Sequence, residues 1–325
     1  MSSKLNRRTF IKKSFLSSAA GALALRAGAG GVAAQGAAAT EAASKDALPK
    51  GKIGNLSISR LLLGGNLLTH YTHSRDLSYV YNLTAHYNTD DKIHETMALA
   101  EAHGVNTLSI HTAARVMDIL KKYRYERGGK INWIICSTNH VDADPTAYRK
   151  HVQELVADGT EAIYLWGVVS DRLVAEGKVD MIARAVAIAK ECGVPSGVGA
   201  HDLKAIVECE KQKVDADFYI KTFHHHNYPS GPKPDEIKSP YSEFPGYWCS
   251  NPQQTLEVMK DVEKPWIAFK VMAAGAIPPQ DAFKYVFENG ADHVLAGMFD
   301  FEIAEDVRIA SDVLSKVSRV RPWRS

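Results

Sequence analysis

The chain has 325 residues, of which 45% are hydrophobic, and a formal net charge of +2 at pH 7. This length exceeds that of most single β-sandwich domains and is typical of one large barrel with a single core. Beyond the N-terminal region no segment is apolar for long enough to cross a bilayer, so the sequence predicts no stable membrane span.

The first 34 residues have the order of an export signal. Paired Arg7 and Arg8 precede a modest apolar stretch, and small residues follow it. This order is that of a twin-arginine signal, and the apolar stretch is about half as long as a membrane span. We expect residues 1–34 to be the signal, 35–50 a disordered tether and 51–325 the folded domain. The implied partner is the twin-arginine export machinery, and the implied location is periplasmic or exported.

Removal of the signal changes the charge of the protein. Cleavage near Ala34 takes the formal charge from +2 to −4, because six basic residues and no acidic ones precede that point. An acidic mature protein argues against nucleic acid as a partner. The four cysteines have no CxxC spacing, which favours buried thiols over a zinc or redox centre, although a disulfide between Cys192 and Cys209 stays open.

From Ser59 onward, β-rich segments alternate with amphipathic helical segments. Parallel strands need helical crossovers, and eight such strands close a sheet into a cylinder. The predicted fold is therefore α/β, a single-domain (β/α)8 TIM barrel, with an open doubly wound sheet as the alternative. The eight strand candidates are RLLLGGN, NTLSIH, INWIICSTN, AIYLWGVV, PSGVGAH, FYIKTFH, PWIAFKVM and DHVLAGM.

Two connections are longer than ordinary loops, one after the first predicted strand and one after the sixth. Both follow the C-terminal end of a strand, so both should cover the face where barrel enzymes build their active sites. In the second strand, polar Thr107, Ser109 and His111 alternate with apolar residues, which predicts that His111 points into the barrel.

Histidines occur at the ends of several predicted strands. The C-terminal ends of barrel strands converge on one concave surface, which we call the bowl. Neutral imidazoles there could supply the ligands that Zn, Mn or Fe prefers. We therefore predict a divalent metal, with NAD(P) the less favoured cofactor. The predicted metal ligands are His111, His140, His201 and His224.

Other candidates are charged or aromatic residues at strand ends and in the long loops. Lys270 lies within an apolar strand and should point into the bowl, where it could bind an oxygen or act as a base. In the sixth strand, Lys221, Phe223 and His225 are expected to line the interior, although twist and fraying at the strand end leave His224 equally open. The predicted catalytic residues are Lys270, His225 and Asp171, and the predicted substrate-binding residues are His70, His73, Arg75, Trp166, Lys221 and His226.

Over most of residues 53–314 the chain resembles the aldo-keto reductases, an NADP-linked oxidoreductase superfamily. The resemblance rests on ordered segments: LSISRLLLGGN, GVNTLSIHTA, YLWGVVSD, GVGAHDL and ADHVLAGMFDFEIAEDV. It implies a barrel whose catalytic tetrad is Asp, Tyr, Lys and His, with basic residues after the eighth strand that bind NADPH.

The tetrad does not carry over to this chain. The positions expected for Asp, Tyr, Lys and His hold His111, Val116, the segment 137–139 and Trp166. Without the tyrosine and its lysine partner, the family's proton relay is missing. Where the family has basic residues after the last strand, this chain has Asp300, Glu302, Glu305 and Asp306.

These observations favour an exported enzyme that acts on a small polar, sugar-like substrate. The expected chemistry is metal-assisted proton transfer, as in an isomerase, epimerase or lyase. One alternative is a divergent NAD(P)-linked oxidoreductase, and a second is a carbohydrate-binding barrel without catalysis. The oligomeric state stays open.

Overall fold

The computed structural model describes residues 48–112 and 115–325. The predicted export signal and nearly all of the predicted tether lie outside these residues. The side chain of Leu48 is already buried in the core, and the first strand begins at Lys50. The last three residues of the predicted tether, 48–50, therefore belong to the described part of the chain.

Eight parallel strands close into a barrel, as the alternation of segments predicts. The last strand pairs with the first, Val294 opposite Leu61, so the sheet has no free edge. The barrel strands in chain order are β3 (Leu61–Gly64), β4 (Thr107–His111), β5 (Asn132–Ser137), β6 (Ala162–Leu165), β7 (Ser196–Ala200), β8 (Phe218–Thr222), β9 (Trp266–Phe269) and β10 (His293–Ala296).

Helices lie on the outside of the barrel between the strands. Their first turns carry the caps that the sequence supplies: the Asp144 carboxylate accepts hydrogen bonds from the backbone N–H groups of Thr146 (2.9 Å) and Ala147 (3.0 Å), and Pro145 occupies the first helical position. The helices are α1 (Tyr79–Tyr87), α2 (Asp90–Ala102), α3 (Val116–Lys121), α4 (Pro145–Ala157), α5 (Gly167–Ala175), α6 (Val179–Glu191), α7 (Leu203–Lys211), α8 (Pro252–Asp261), α9 (Pro279–Glu288) and α10 (Ile303–Lys316).

A short antiparallel hairpin precedes the barrel. It consists of β1 (Lys50–Ile53) and β2 (Leu56–Ser59). Ile53 and Ile58 of this hairpin belong to the apolar cluster that fills the barrel interior. The hairpin therefore completes the interior core and leaves the C-terminal ends of the strands for the site.

Alternation along β4 and β8 decides which side chains face the interior. In β4, Leu108 and Ile110 pack in the outer core against the helices, as the predicted alternation requires. In β8 the prediction for Lys221 and Phe223 is wrong. Phe218 and Ile220 occupy the interior cluster, so the odd-numbered side chains of this strand face the helix layer.

Lys221 is buried on that outer side of β8. Its ammonium group donates hydrogen bonds to the Thr222 carbonyl (2.7 Å) and hydroxyl (3.1 Å). The four cysteines are free, so the possible disulfide between Cys192 and Cys209 is not formed. Among the described residues no helix is long and apolar enough to cross a membrane.

Candidate active site

A cavity of about 290 Å³ opens at the C-terminal ends of the barrel strands. Its walls are formed by strand ends and by two long connections, which we call the first mouth loop (residues 65–78) and the second mouth loop (residues 223–251). The polar or aromatic residues that line it are Asn66, Tyr71, His73, His111, Thr112, Thr138, Tyr164, Trp166, His201, Tyr241, Phe269 and Lys270.

Asp171 on α5 orients His201, which follows β7. The carboxylate accepts a hydrogen bond from the His201 Nδ1–H (3.0 Å) and further hydrogen bonds from the backbone N–H groups of His201 and Asp202 (3.0–3.1 Å). This contact places the ring proton on Nδ1 and leaves Nε2 as an acceptor. Burial lowers the pKa of His201 to about 4, so the imidazole is neutral at pH 7.

Lys270 follows β9 and faces that acceptor. Its Nζ lies 3.4 Å from His201 Nε2, and its ammonium lies 5.5–5.8 Å from the ring centroids of Phe269, Trp248 and Tyr241. Burial lowers the pKa of Lys270 to about 7, although the charges of Glu243 and Asp171 act in the opposite direction. The amine therefore exchanges its proton near neutral pH, as a catalytic acid or base requires.

The backbone at Lys270 is in the left-handed region, with φ of 55°. Ala273, Ala274 and Gly275 in the same turn also have positive φ values. Residues other than glycine seldom adopt this conformation, and such strain concentrates at functional sites.

His111 lies on the opposite wall of the cavity, where its alternation in β4 predicts it. Its Nε2 shares a hydrogen bond of 2.6 Å with the Thr69 hydroxyl. The Tyr71 ring packs edge-on against the imidazole, with ring centroids 4.5 Å apart. Burial lowers the pKa of His111 to about 4. A neutral imidazole at this wall can position a substrate oxygen but does not carry charge at pH 7.

The two mouth loops are tied together above the cavity. His73 Nδ1 donates to Glu243 at 2.6 Å, and Arg75 donates to the Ser230 hydroxyl at 2.6 Å. Trp248 Nε1 also donates to Glu243, at 3.3 Å. Burial of Glu243 alone would raise its pKa, but the hydrogen bond from His73 and the nearby Lys270 hold that pKa below its usual range.

A second cavity, of about 380 Å³, lies next to the first and shares part of its wall. Asn66, Tyr71, His73, Phe269 and Lys270 line both. Beyond this shared wall, the second cavity extends past the Lys270–Gly275 turn to β10 and the start of α10. Lys270 therefore lies where the two cavities meet.

The carboxyl of Asp306 on α10 lines the second cavity. Asp306 is only 5% exposed and makes no side-chain hydrogen bond or ion pair with another described residue. Burial, followed by the charges of Glu302 and Glu305, raises the pKa of Asp306 to about 7. A buried carboxyl without a partner is costly, and such groups are uncommon away from binding sites.

Several residues expected at the site lie outside both cavities. The side chain of His225 contacts Tyr285 on α9 because β8 directs it outward, and His226 Nε2 donates to the Cys249 carbonyl at 2.7 Å. His70 Nε2 contacts the Asn88 carbonyl at 3.0 Å. Arg75 ties the mouth loops together instead of lining a cavity.

The site also contains residues that sequence reasoning did not select. The Tyr241 ring packs against the His201 ring at a tilt of 36°, with centroids 4.5 Å apart, and Glu243 accepts a hydrogen bond from His73. Asn66 and Thr138 line the first cavity. Thr138 directly follows β5 and Asn66 lies two residues after β3, which is a usable signal. Tyr241 and Glu243 come from an aperiodic loop that carries none.

Some solved structures with this architecture are assigned as aldo-keto reductases. Two structures of such a protein from Pseudomonas aeruginosa, one of them of PA4992, are 18% identical to this chain; they cover 84% and 83% of it and 99% and 98% of their own chains, with TM-scores of 0.57 and 0.56. A Gox0644 variant in complex with NADPH is 12% identical, covers 84% of this chain and 90% of its own, and has a TM-score of 0.52.

The chain has the barrel fold of the aldo-keto reductases. No protein-family model and no curated protein matches its sequence. The resemblance seen in the ordered sequence segments is thus confirmed at the level of the fold.

The predicted divalent-metal centre is wrong. One structural neighbour holds NADPH, and in the described part of the chain no group of three or more His, Cys, Asp or Glu residues is placed to hold a metal. His140 is exposed and contacts Arg172, while both nitrogens of His224 are used, by the His225 carbonyl (2.8 Å) and the Trp248 backbone N–H (2.9 Å). His111 and His201 remain in the cavity on opposite walls.

Proposed function

We propose that the protein is an aldo-keto reductase-like, NAD(P)-linked oxidoreductase that acts on a small polar carbonyl compound. In this proposal Lys270 transfers the proton and is positioned by Asp171 and His201. These three residues replace the tetrad of the family. The observation that carries it is the position of Lys270, whose amine lies at the junction of the two cavities and 3.4 Å from His201 Nε2.

The second cavity has features that suit a dinucleotide. Ala274 and Gly275 have positive φ values, and their backbone N–H groups make no hydrogen bond with another described residue. Space beside the Gly275 α-carbon is open for 4 Å, and this glycine lines the cavity. Successive N–H groups in such a turn favour anions such as a pyrophosphate. The unpartnered Asp306 carboxyl offers an acceptor for ribose hydroxyls.

A bound nicotinamide would supply or accept the hydride in this reaction. The chain's own residues supply the proton. Lys270 in its ammonium form can donate to the developing alkoxide, and its pKa of about 7 makes that donation favourable near neutral pH. In the oxidation direction the neutral amine takes the proton back.

Asp171 and His201 act on Lys270 as positioning residues. The Asp171 carboxylate keeps the ring proton on Nδ1, so the unprotonated Nε2 accepts from the lysine. This hydrogen bond directs the amine while leaving its other N–H bonds for the substrate. Tyr241 packs on the same imidazole and limits its rotation.

The first cavity suits a small substrate with hydroxyl groups. Its volume of about 290 Å³ is at the low end for ligand sites. Trp166 and Tyr241 offer aromatic faces, and Thr112, Thr138 and His111 offer hydrogen-bonding groups. This combination of aromatic faces and hydroxyl partners supports a short polyol or sugar-derived carbonyl as the substrate class.

The first test is nucleotide binding. Trp248 lines the second cavity, so a reduced nicotinamide bound there should accept excitation from tryptophan and quench its emission. We expect saturable quenching by NADH or NADPH. We also expect reduction of glyceraldehyde, which is measured by the loss of absorbance of the reduced nucleotide. If neither nucleotide quenches the emission or stabilises the protein against heat, the oxidoreductase proposal is rejected.

We also propose that the protein is exported by the twin-arginine route. The support is the order of charged, apolar and small residues in the first 34 positions. Replacing Arg7 and Arg8 together by lysine should leave the precursor in the cytoplasm, because that pathway depends on the arginine pair. Fractionation and immunoblotting measure this, and mature protein in the periplasm of the double variant would contradict it.

A further inference from the structure

The part of the second cavity that lies away from the first is acidic. Glu302 and Asp306 line it there, at the start of α10. The basic side chains on its wall are His73 and Lys270, and both belong to the wall shared with the first cavity. A ligand that reaches α10 therefore meets carboxyl groups and no basic side chain on the cavity wall.

These two carboxyl groups differ in their hydrogen-bond partners. One Glu302 oxygen accepts a hydrogen bond from the Phe299 backbone N–H at 2.9 Å. Asp306 is 5% exposed, faces the cavity and has no side-chain partner among the described residues. Folding leaves this acceptor without a hydrogen-bond donor from the described residues, so a ligand in the cavity can supply one.

The lysine close to this region is already paired. Lys92 Nζ lies 2.7 Å from Glu95 and 3.1 Å from Asp300, and the Tyr87 hydroxyl also donates to Asp300, at 2.7 Å. Recognition of a ribose phosphate normally uses an arginine or lysine that can face the phosphate. An unphosphorylated ribose, by contrast, is bound through its hydroxyls by an acidic side chain.

We propose that Asp306, assisted by Glu302, binds the ribose hydroxyls of the adenosine half of the dinucleotide and selects NAD(H) over NADP(H). This inference rests on the proposed function, and it assigns to this chain a cofactor different from the NADPH held by one of its structural neighbours. The same carboxyls repel a 2′-phosphate, so the preference has an attractive and a repulsive component.

The test compares NADH and NADPH as titrants of tryptophan emission at pH 8, where the Asp306 carboxyl is mostly charged, at low ionic strength and without substrate. We expect the unmodified protein to bind NADH at least tenfold more tightly than NADPH. Asp306→Asn keeps the shape and removes the charge, so the ratio of the two dissociation constants should move toward NADPH by about tenfold. Glu302→Gln should shift it in the same direction by less, since one of its oxygens serves the backbone.

A second readout separates ligand recognition from folding. Because the unpartnered carboxyl is costly, Asp306→Asn should melt at a higher temperature than the unmodified protein when no nucleotide is present. The matched control is Asp312→Asn on the same helix, whose carboxylate pairs with Lys316 at the surface. That control should change neither the nucleotide ratio nor the melting temperature appreciably.

The outcomes distinguish the two proposals. Equal or tighter binding of NADPH, or a ratio that stays unchanged in both Asp306→Asn and Glu302→Gln, overturns the cofactor selection and leaves the oxidoreductase proposal in place. Binding of neither nucleotide overturns the oxidoreductase proposal itself, and the selection with it.

Discussion

Replacement of Lys270 by methionine is expected to lower kcat for carbonyl reduction by about 10² to 10⁴-fold, the range typical for loss of a general acid. Methionine fills similar space and cannot donate a proton. In the unmodified enzyme kcat for reduction should fall as the pH rises above about 7, because the ammonium form of Lys270 is then lost. Both quantities are measured by steady-state kinetics with NADH or NADPH.

The same substitution should raise stability. The pKa of Lys270 is about 7 in the folded protein against 10.5 in the unfolded chain, so between these values the unfolded chain binds more protons and stability rises with pH. Below pH 7 both states carry the charge, and the cost of burying it is present in full. Lys270→Met should therefore gain most in melting temperature below pH 7.

The control for this variant is Lys204→Met, which removes an exposed lysine on α7. It should change neither kcat nor the pH profile. Retention of near-normal kcat by Lys270→Met, with an unchanged pH profile, would assign the proton to another group, such as the hydroxyl of Tyr241 or Tyr71.

The second large effect concerns folding. Asp292→Ala is expected to lower the free energy of unfolding by about 3–5 kcal/mol, the cost of removing one partner from a buried ion pair. Asp292 is fully buried and accepts hydrogen bonds from Arg321 (2.7 Å) and from the backbone N–H groups of Trp266 and Arg324 (both 2.9 Å). Its loss leaves the guanidinium of Arg321, which is also buried, without a counter-charge.

Urea unfolding followed by circular dichroism measures this change. The matched control is Asp215→Ala, which removes an exposed carboxylate paired with Lys190 at 2.7 Å. Exposed pairs contribute about 0–1 kcal/mol, so this control should hardly move the midpoint. Similar midpoints for the two variants would show that the Asp292 contacts add little net stability.

The barrel could be predicted because its signals are local and repeat. Each strand and helix has its own period, and the eight units together specify a closed parallel sheet. The orientation of His111 followed from β4, where polar Thr107, Ser109 and His111 alternate with Leu108 and Ile110, so that only one phase keeps the leucine and isoleucine in the outer core.

The orientation of β8 could not be derived in that way. Phe218, Tyr219, Ile220 and Phe223 place large apolar groups in both phases, so alternation does not choose between them. Packing of Phe218 and Ile220 inside the barrel determines the orientation of β8. The Lys221 ammonium then donates hydrogen bonds to the carbonyl and hydroxyl of Thr222. Which of the two phases faces the interior depends on the neighbouring strands, so the sequence of β8 alone does not predict it.

The site residues divide along the same line. Lys270 was predicted to face the bowl because a charge within an apolar strand has few other places to go. Tyr241 and Glu243 lie in the second mouth loop, and they reach His201 and His73 only after the barrel has closed. Local sequence periodicity does not predict contacts between segments so far apart in the chain.

The tie between the mouth loops has a consequence for how specificity could change. His73 and Glu243 are separated by 170 positions, yet they form one contact above the cavity. Drift or laboratory selection that varies one loop alone would break this contact before it could reshape the opening. New substrate ranges should therefore arise from paired changes in two distant parts of the coding sequence, while the strands beneath stay as they are.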